Sequence, residues 1–220
     1  MHSTIKNLND INSTIKEKIK EYMYENYYPN IVAVSKTFKI EHINHLIEFG
    51  HKHFGENKVQ ETIEKWTEIK KRDSSIKLHM LGKLQTNKVK LAVRIFDYIH
   101  SVDSLKLAKK ISEEQKKYNK QLSLFLQVNI GNEAQKSGIN KNNLLELVNF
   151  CNESKLKIIG LMCLPPFEKD SSPYFDELKN LNNQFNFKEI SMGMSHDYET
   201  AVKYKSTFLR IGSKIFGERN

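Results

Sequence analysis

The sequence is poor in the residues on which disulfide-rich and fibrous folds depend. Its 220 residues include two cysteines, four prolines, nine glycines and one tryptophan. Cys151 and Cys163 form neither a disulfide framework nor a CxxC motif, which predicts a reducing, cytoplasmic location. With 39% hydrophobic and 28% charged residues, the composition excludes collagen-like, disordered and low-complexity classes.

Long hydrophobic runs are also missing. The longest apolar stretch, residues 122–130, is interrupted by Ser123, Gln127 and Asn129, and it falls short of the roughly 18 residues that cross a bilayer. The first residues alternate charge with isoleucine, which is unlike a signal peptide. We therefore expect no membrane association and no secretion.

Arginine is rare, although the chain is basic. The formal net charge is +9, but 31 of the 35 basic residues are lysines. The lysines are spread along the chain and interleaved with glutamate, whereas a nucleic-acid groove clusters its charge and favours arginine for bidentate contacts. We interpret the charge as a solvated surface and expect no nucleic-acid partner.

Short apolar runs alternate with amphipathic stretches along the whole chain. Apolar residues at helical spacing predict a first helix over residues 3–27, ended by Pro29. Amphipathic helices are predicted after each of the first seven strands. The eight predicted strands are residues 31–34, 53–55, 78–81, 95–100, 122–128, 156–162, 189–192 and 208–211.

This alternation predicts an α/β fold with parallel strands joined by crossovers. A doubly wound sheet and a closed (β/α)₈ barrel both fit. A barrel places its chemistry at the carboxyl ends of the strands, and polar residues, glycines or prolines follow every predicted strand, but a doubly wound sheet would satisfy that test too. Because no linker or repeat divides the chain, we expect one domain over residues 1–220, with residues 1–28 as a peripheral helix.

Lys36 is the most suggestive single residue. It directly follows a predicted buried strand, so it should stand at the mouth of a barrel. Partial desolvation there would lower the pKa of its amine and make it a nucleophile toward carbonyl groups. The alternative is an ordinary strand-end lysine whose amine reaches solvent.

Two glycine- and serine-containing segments follow the last two predicted strands. In a barrel these loops commonly bind phosphate. Gly193 and Gly212 allow close backbone approach, and Ser195 and Ser213 offer hydroxyl donors. Two ordinary glycine turns are the alternative. A nucleophilic lysine combined with a phosphate site suggests a phosphorylated aldehyde held as an imine.

Seven segments, in order along the chain, match one known family. They are residues 33–37 (AVSKT), 54–61 (FGENKVQE), 79–88 (HMLGKLQTNK), 135–138 (QKSG), 160–162 (GLM), 191–195 (SMGMS) and 210–219 (RIGSKIFGER). In these segments the chain resembles the pyridoxal phosphate homeostasis protein family, whose barrel is similar to that of alanine racemase. His196, Ser213 and Met80 depart from the usual residues of the family, and Ser213 keeps the hydroxyl of the more common threonine.

The resemblance implies a single (β/α)₈ TIM-type barrel with an extra N-terminal helix, and pyridoxal 5′-phosphate (PLP) as the cofactor. It implies neither a catalytic residue nor a metal ligand. Lys136, in the glycine-containing loop 129–138, matches a family lysine that approaches the cofactor. The implied cofactor-binding set is Lys36 (covalent imine), Asn57 (near the ring), His79 (lining the pocket), Arg210 (near the pyridine nitrogen), and Ser195, Gly212 and Ser213 (phosphate).

Four histidines lie close together in the sequence, at positions 42, 45, 51 and 53. Two of them, His42 and His45, are three residues apart and could touch on a helix. The segment has no HExxH pattern and no cysteine partner, which are the usual signs of a zinc site. We therefore expect no metal.

Three functions compete. The first is a PLP-binding protein that takes part in intracellular vitamin B6 homeostasis without turnover of its own. The second is a small PLP-dependent amino-acid racemase, and the third is a nucleic-acid or scaffold protein. Racemases of the resembling fold carry a second domain with an opposing catalytic tyrosine, whereas this chain stops at Asn220, directly after the barrel.

The charge of Arg210 also favours binding over turnover. An arginine beside the pyridine nitrogen stays charged and keeps that nitrogen unprotonated, so the ring is a poor electron sink. We therefore expect the first function, in a cytoplasmic protein that is a monomer rather than an oligomer. The expected partners are PLP, related B6 vitamers and apo-enzymes that need PLP.

Overall fold

The chain forms a closed barrel of eight parallel strands. The computed structural model describes residues 2–133, 135–167 and 169–218. Each strand pairs with the next, and the last strand pairs with the first. This closure confirms the (β/α)₈ barrel over the doubly wound sheet. The strands are β1 (Asn30–Val34), β2 (His53–Glu56), β3 (Lys77–Met80), β4 (Tyr98–Val102), β5 (Ser123–Val128), β6 (Ile158–Cys163), β7 (Glu189–Ser191) and β8 (Phe208–Ile211).

Helices follow the strands and surround the barrel, and two 3-10 turns, Thr86–Lys88 and Lys141–Asn143, precede the fourth and sixth helices. Two predicted features, Arg219 at the end of the last matching segment and Ala134 in the 129–138 loop, lie outside the described residues. The described helices are α1 (Ser3–Glu21), α2 (Ile40–Glu48), α3 (Val59–Arg72), α4 (Val89–Ile95), α5 (Leu105–Tyr118), α6 (Leu144–Glu153), α7 (Ser172–Gln184), α8 (Tyr198–Lys203) and α9 (Ser213–Phe216).

Two predicted boundaries are wrong. The first helix ends at Glu21, well before Pro29, because Met23 adopts a left-handed conformation (φ 52°) and the Tyr24 amide turns back to the Ile19 carbonyl. The fourth strand starts at Tyr98, three residues later than predicted, because Ile95 is the last residue of α4 and Phe96 is its C-cap. A short apolar run does not by itself distinguish a strand from the end of a buried helix.

The N-terminal helix packs on the outside of the barrel, as the extra helix of the predicted fold. Its apolar stripe of Leu8, Ile11 and Ile15 is buried against α8 and α9. The Asn7 side-chain amide donates to the Ile215 carbonyl at 3.0 Å. The helix is therefore attached to the segments that lie last in the described chain.

The barrel interior mixes apolar and polar side chains. Val32, Phe125, Met162 and Phe208 form a small buried cluster inside the closed sheet. A larger apolar core lies between the sheet and the surrounding helices. No helix among the described residues combines the length and the apolarity needed to cross a membrane.

Candidate functional site

A cavity of about 650 Å³ opens at the carboxyl ends of the strands. Its walls include Val34, Leu81 and Met162, which give it an apolar surface. Six of the seven residues predicted to bind the cofactor line this cavity, and they come from the ends of β1, β2, β7 and β8. They are Lys36, Asn57, Ser195, Arg210, Gly212 and Ser213.

Lys36 reaches the cavity because of strand alternation. Val32 belongs to the cluster inside the barrel, and Val34 and Lys36 follow it at intervals of two along the same side of the chain. Lys36 is half-buried. Ser35, between them, points outward and is completely buried under α3.

A buried polar cluster outside the cavity holds Ser35. The Ser35 hydroxyl donates to Glu56 Oε1 at 2.7 Å, and its carbonyl accepts from Lys65 Nζ at 3.0 Å. Glu56 Oε1 also accepts from Lys65 Nζ at 3.0 Å and from the Trp66 indole at 2.9 Å. Glu56, Lys65 and Trp66 therefore fix the residue immediately before Lys36 through both its side chain and its backbone.

The residue immediately after Lys36 is strained. Thr37 has φ 68°, a left-handed conformation that is rare for a β-branched residue. Its amide donates to Glu61 Oε1 at 2.7 Å, and Glu61 is paired with Lys65 at 3.0 Å. Burial opposes ionisation of Glu61, but the Thr37 amide and Lys65 together lower its pKa. Such strain persists only where surrounding contacts hold it, and it is concentrated at functional sites.

The segments after β7 and β8 meet through Ser195. Its hydroxyl oxygen accepts from the amides of Gly212, at 3.2 Å, and Lys214, at 3.3 Å. These two bonds use both lone pairs of the oxygen, so the hydroxyl proton remains available as a donor. The exposed Ser213 lies beside it on the cavity wall. Gly193 permits the tight turn, since its φ is +89° and a Cβ there would lie 2.5 Å from Ala201 Cβ.

Asn57 is positioned by a close backbone approach. A Cβ at Gly82 would lie 2.4 Å from the Asn57 carbonyl oxygen, a distance that real side chains do not tolerate. Glycine at position 82 therefore lets the segment after β3 pack directly on the segment after β2. This packing sets Asn57 at the side of the cavity.

Lys136 joins two loops beside the cavity. Its amine lies 2.7 Å from Glu133 Oε2 and donates to the Pro165 carbonyl at 3.2 Å. Lys136 belongs to a neighbouring depression that also includes Asn57. It therefore ties the loop after β5 to the loop after β6.

Arg210 is a buried cation with uncharged hydrogen-bond partners. Its side chain is 4% exposed, and it donates from Nη1 to Ser191 Oγ at 2.6 Å and from Nη2 to the Cys163 carbonyl at 2.8 Å. These are the side-chain hydrogen bonds of Arg210 among the described residues. Burial lowers its pKa from the ordinary value, but a guanidinium retains its proton in proteins. Its remaining N–H groups can donate hydrogen bonds to an acceptor in the cavity.

His79 is not among the residues that line this cavity, and its predicted contact with the cofactor stays a prediction. It is completely buried in the barrel interior, stacked on Tyr98 with ring centroids 4.2 Å apart. His79 Nε2 lies 2.9 Å from His53 Nδ1, and His79 Nδ1 lies 2.9 Å from His100 Nε2. His100 Nδ1 lies 2.7 Å from Ser191 Oγ. We call His53, His79 and His100 the histidine column, which reaches Arg210 through Ser191.

Ser35 and Glu56 were not identified from the sequence as members of a buried polar cluster. Strand alternation is the signal that could have found them. Positions 35 and 56 are out of phase with the inward residues of their strands, so their polar side chains had to meet a helix.

The described residues contain no group of three histidine, cysteine or acidic side chains suited to a metal ion.

Comparison with known proteins identifies the family. The model of the alanine racemase N-terminal domain matches residues 13–220. A pyridoxal phosphate homeostasis protein of Aquifex aeolicus is 37% identical over 199 residues, covering 86% of each chain. One of Pasteurella multocida is 33% identical over 225 residues, covering 97% of each chain. The chain belongs to the pyridoxal phosphate homeostasis protein family.

Solved structures of similar proteins support the same assignment. The family member PipY of Synechococcus elongatus, solved with PLP bound, is 33% identical with a TM-score of 0.77, covering 92% of this chain and all of PipY. An alanine racemase of Clostridium difficile has a TM-score of 0.70 at 14% identity, covering 96% of this chain and 57% of the racemase. The second likeness shows a shared barrel fold alone.

The first prediction concerns the cluster behind Ser35. Replacing Lys65 with methionine should lower the free energy of unfolding by about 3–5 kcal/mol, because it leaves the buried Glu56 carboxylate without its cation. The double variant Glu56→Gln, Lys65→Met should recover part of that loss. Urea denaturation measures both effects.

The matched control is Lys71→Met, on the same helix. Lys71 pairs with Glu68, but both side chains are about two-thirds exposed, so no measurable loss is expected. Equal losses in Lys65→Met and Lys71→Met would contradict a structural role of the buried pair.

The second prediction concerns pH. Burial lowers the pKa of His79 and His100 well below 6.5, and that of His51 to about 4. The unfolded chain therefore takes up protons below pH 6.5 that the folded protein does not. Stability should be full above pH 6.5 and should fall between pH 6.5 and 5, by up to about 1.4 kcal/mol per pH unit for each buried histidine.

Urea denaturation at several pH values measures this slope. The variant His100→Asn should reduce it, because one buried imidazole is removed. His42→Gln, at an exposed position, should leave it unchanged. A stability independent of pH between 6.5 and 5 would contradict the prediction.

Proposed function

We propose that this protein binds PLP in the cavity at the barrel mouth and takes part in intracellular vitamin B6 homeostasis, without turnover of its own. The observation that carries the proposal is the convergence of a strand-end lysine, a buried guanidinium and a hydroxyl-lined turn on one cavity. A relative that is 33% identical over its whole length has been solved with PLP bound.

The residues present fit this cofactor. When bound, PLP supplies an aldehyde carbon that an amine can attack and a phosphate that needs several donors. The chain offers a half-buried amine at Lys36 and, across the mouth, hydroxyl and backbone donors at Ser195, Gly212 and Ser213. Apolar walls such as Leu81 and Met162 suit a flat ring.

Each side chain has a defined role in the proposal. Lys36 holds the cofactor covalently as an imine, and Ser195, Gly212 and Ser213 bind its phosphate. Asn57 lies beside the ring. Arg210 donates from its fixed guanidinium to the pyridine nitrogen and keeps that nitrogen unprotonated.

This role of Arg210 favours binding over racemisation. A ring nitrogen without a proton makes PLP a poor electron sink, so a carbanion next to it is weakly stabilised. Racemisation also needs an acid and a base on opposite faces of the substrate. The racemase alternative is supported by the shared barrel fold of alanine racemase, which by itself does not determine chemistry.

We further propose that residues 1–220 act as one cofactor-binding domain in the cytoplasm, as a monomer. Cys151 and Cys163 are both free and buried. Burial raises the pKa of each thiol to about 12, so neither is a reactive thiolate. The proposed partners are PLP, other B6 vitamers and apo-enzymes that need PLP.

The third prediction tests Lys36. The purified protein with PLP should show an absorbance band near ~420 nm. Lys36→Ala should abolish this band while the far-UV circular dichroism, which reports the fold, stays unchanged. Borohydride reduction followed by mass spectrometry should place a pyridoxyl group on Lys36. Lys83→Ala is the matched control, because Lys83 also follows a strand at the barrel mouth and should keep the band.

A pyridoxyl group found only on another lysine would overturn the assignment of Lys36. Absence of the band in the unmodified protein at saturating PLP would overturn the proposed function itself.

The fourth prediction tests the phosphate site. Ser195→Ala and Ser213→Ala should each weaken PLP affinity roughly tenfold to a hundredfold, since each removes a donor to a charged group, worth about 1.5–3 kcal/mol. The band should still form at high PLP concentration. Equilibrium titration measures the affinity, with Ser75→Ala, before β3, as the control. Unchanged affinity in both site variants would place the phosphate elsewhere.

The fifth prediction separates binding from turnover. The PLP-loaded protein is mixed with each common L-amino acid in deuterated water, and then with an apo-transaminase. We expect no deuterium at Cα, no D-enantiomer, and activation of the transaminase. Rapid Cα exchange with formation of the D-enantiomer would establish a small racemase instead.

A further inference from the structure

The histidine column is a buried polar feature of the barrel that the proposed function does not use. His79, His100 and Ser191 are completely buried, and His53, at the start of β2, is half-buried. The four groups form three consecutive contacts of 2.7 to 2.9 Å, and a fourth of 2.6 Å leads to Arg210.

The direction of these hydrogen bonds follows from Arg210. A guanidinium only donates, so Ser191 Oγ must accept from it. The Ser191 oxygen has a second lone pair, but among the described residues its hydroxyl proton has His100 Nδ1 as its one acceptor. The hydroxyl therefore donates to His100 Nδ1, which accepts only if His100 carries its proton on Nε2. His100 Nε2–H donates to His79 Nδ1, and by the same logic His79 Nε2–H donates to His53 Nδ1. Every buried proton in the column then has an acceptor.

The column supports Arg210 without neutralising it. The side chains next to the guanidinium along the column are a hydroxyl and imidazoles, and burial lowers the pKa of His79 and His100 well below the ordinary value. Asp197 acts on Arg210 through space alone, and its Oδ1 accepts from the Met194 amide at 2.6 Å. Among the described residues, the guanidinium therefore has no acidic hydrogen-bond partner.

We propose that His100 is a positioning residue for Arg210. By accepting the Ser191 hydroxyl proton, it turns the Ser191 lone pairs toward the guanidinium and fixes the guanidinium at the cavity wall. The expected effect on PLP affinity rests on the proposed function. The direction of the hydrogen bonds in the column does not, because it is a property of the protein without cofactor.

The first test uses the protein without cofactor. Long-range proton–nitrogen NMR distinguishes imidazoles protonated on Nδ1 from those protonated on Nε2. At neutral pH we expect His53, His79 and His100 to carry the proton on Nε2, and Ser191→Ala to change the His100 signal. A His100 protonated on Nδ1 in the unmodified protein would overturn the proposed direction, whatever the protein binds.

The second test measures PLP affinity by equilibrium titration. His100→Leu, which has no acceptor, should leave the Arg210 guanidinium less firmly held and so weaken its hydrogen bond to the ligand. We expect a roughly tenfold loss of affinity, the size of one hydrogen bond made by a charged group. His100→Asn should restore most of it, because its amide oxygen replaces Nδ1 as the acceptor. Phe125→Leu is the packing control, since Phe125 stacks on His100 at 4.3 Å, and it should leave affinity unchanged.

Ser191→Ala provides a second variant in case His100→Leu does not fold, and it should weaken affinity by a similar factor. Unchanged affinity in Ser191→Ala, or equal losses in His100→Leu and His100→Asn, would overturn the positioning role. Failure of the unmodified protein to bind PLP would instead contradict the proposed function, while the NMR result on the cofactor-free protein would still decide the direction of the column.

Discussion

Closure of the sheet is the constraint on which the rest of this structure depends. Once β8 pairs with β1, no strand edge remains, and side chains along a regular strand alternate between the barrel interior and the surrounding helices. In β1 this sends Lys36 to the mouth and Ser35 to the helix side. Two residues adjacent in sequence can therefore occupy different environments, since Lys36 lines the cavity while Ser35 is completely buried.

Two largely buried cations, Lys65 and Arg210, have opposite surroundings. Lys65 is surrounded by Glu56, Glu61 and a carbonyl. Its charge is therefore neutralised by groups of the protein, and these contacts fix the backbone around Lys36. Arg210 is held by a hydroxyl and a carbonyl, so its charge remains available. The first arrangement provides rigidity and the second provides an electrostatic field, and a cofactor site needs both.

Much of the fold and of the site could be predicted from the sequence. Apolar periodicity indicated all eight strands, and the strand-end position of Lys36 together with the turns after β7 and β8 indicated the cavity. The placement of His79 could not be predicted, because depth along a barrel depends on strand tilt and register, which residue patterns do not encode. The Glu56–Lys65 contact could have been predicted in part, since Glu56 is out of phase with the inward residues of β2 and must face the following helix.

The attachment of α1 has a consequence for synthesis on the ribosome. Its apolar stripe packs on α8 and α9, and β1 finds its second neighbour only in β8. A nascent chain that has emerged as far as β7 therefore carries two unpaired strand edges and an uncovered apolar helix, which are the surfaces that promote aggregation. The barrel cannot be completed one strand at a time from β1 onward, and α1 and β1 become stable in the same event as β8, α8 and α9.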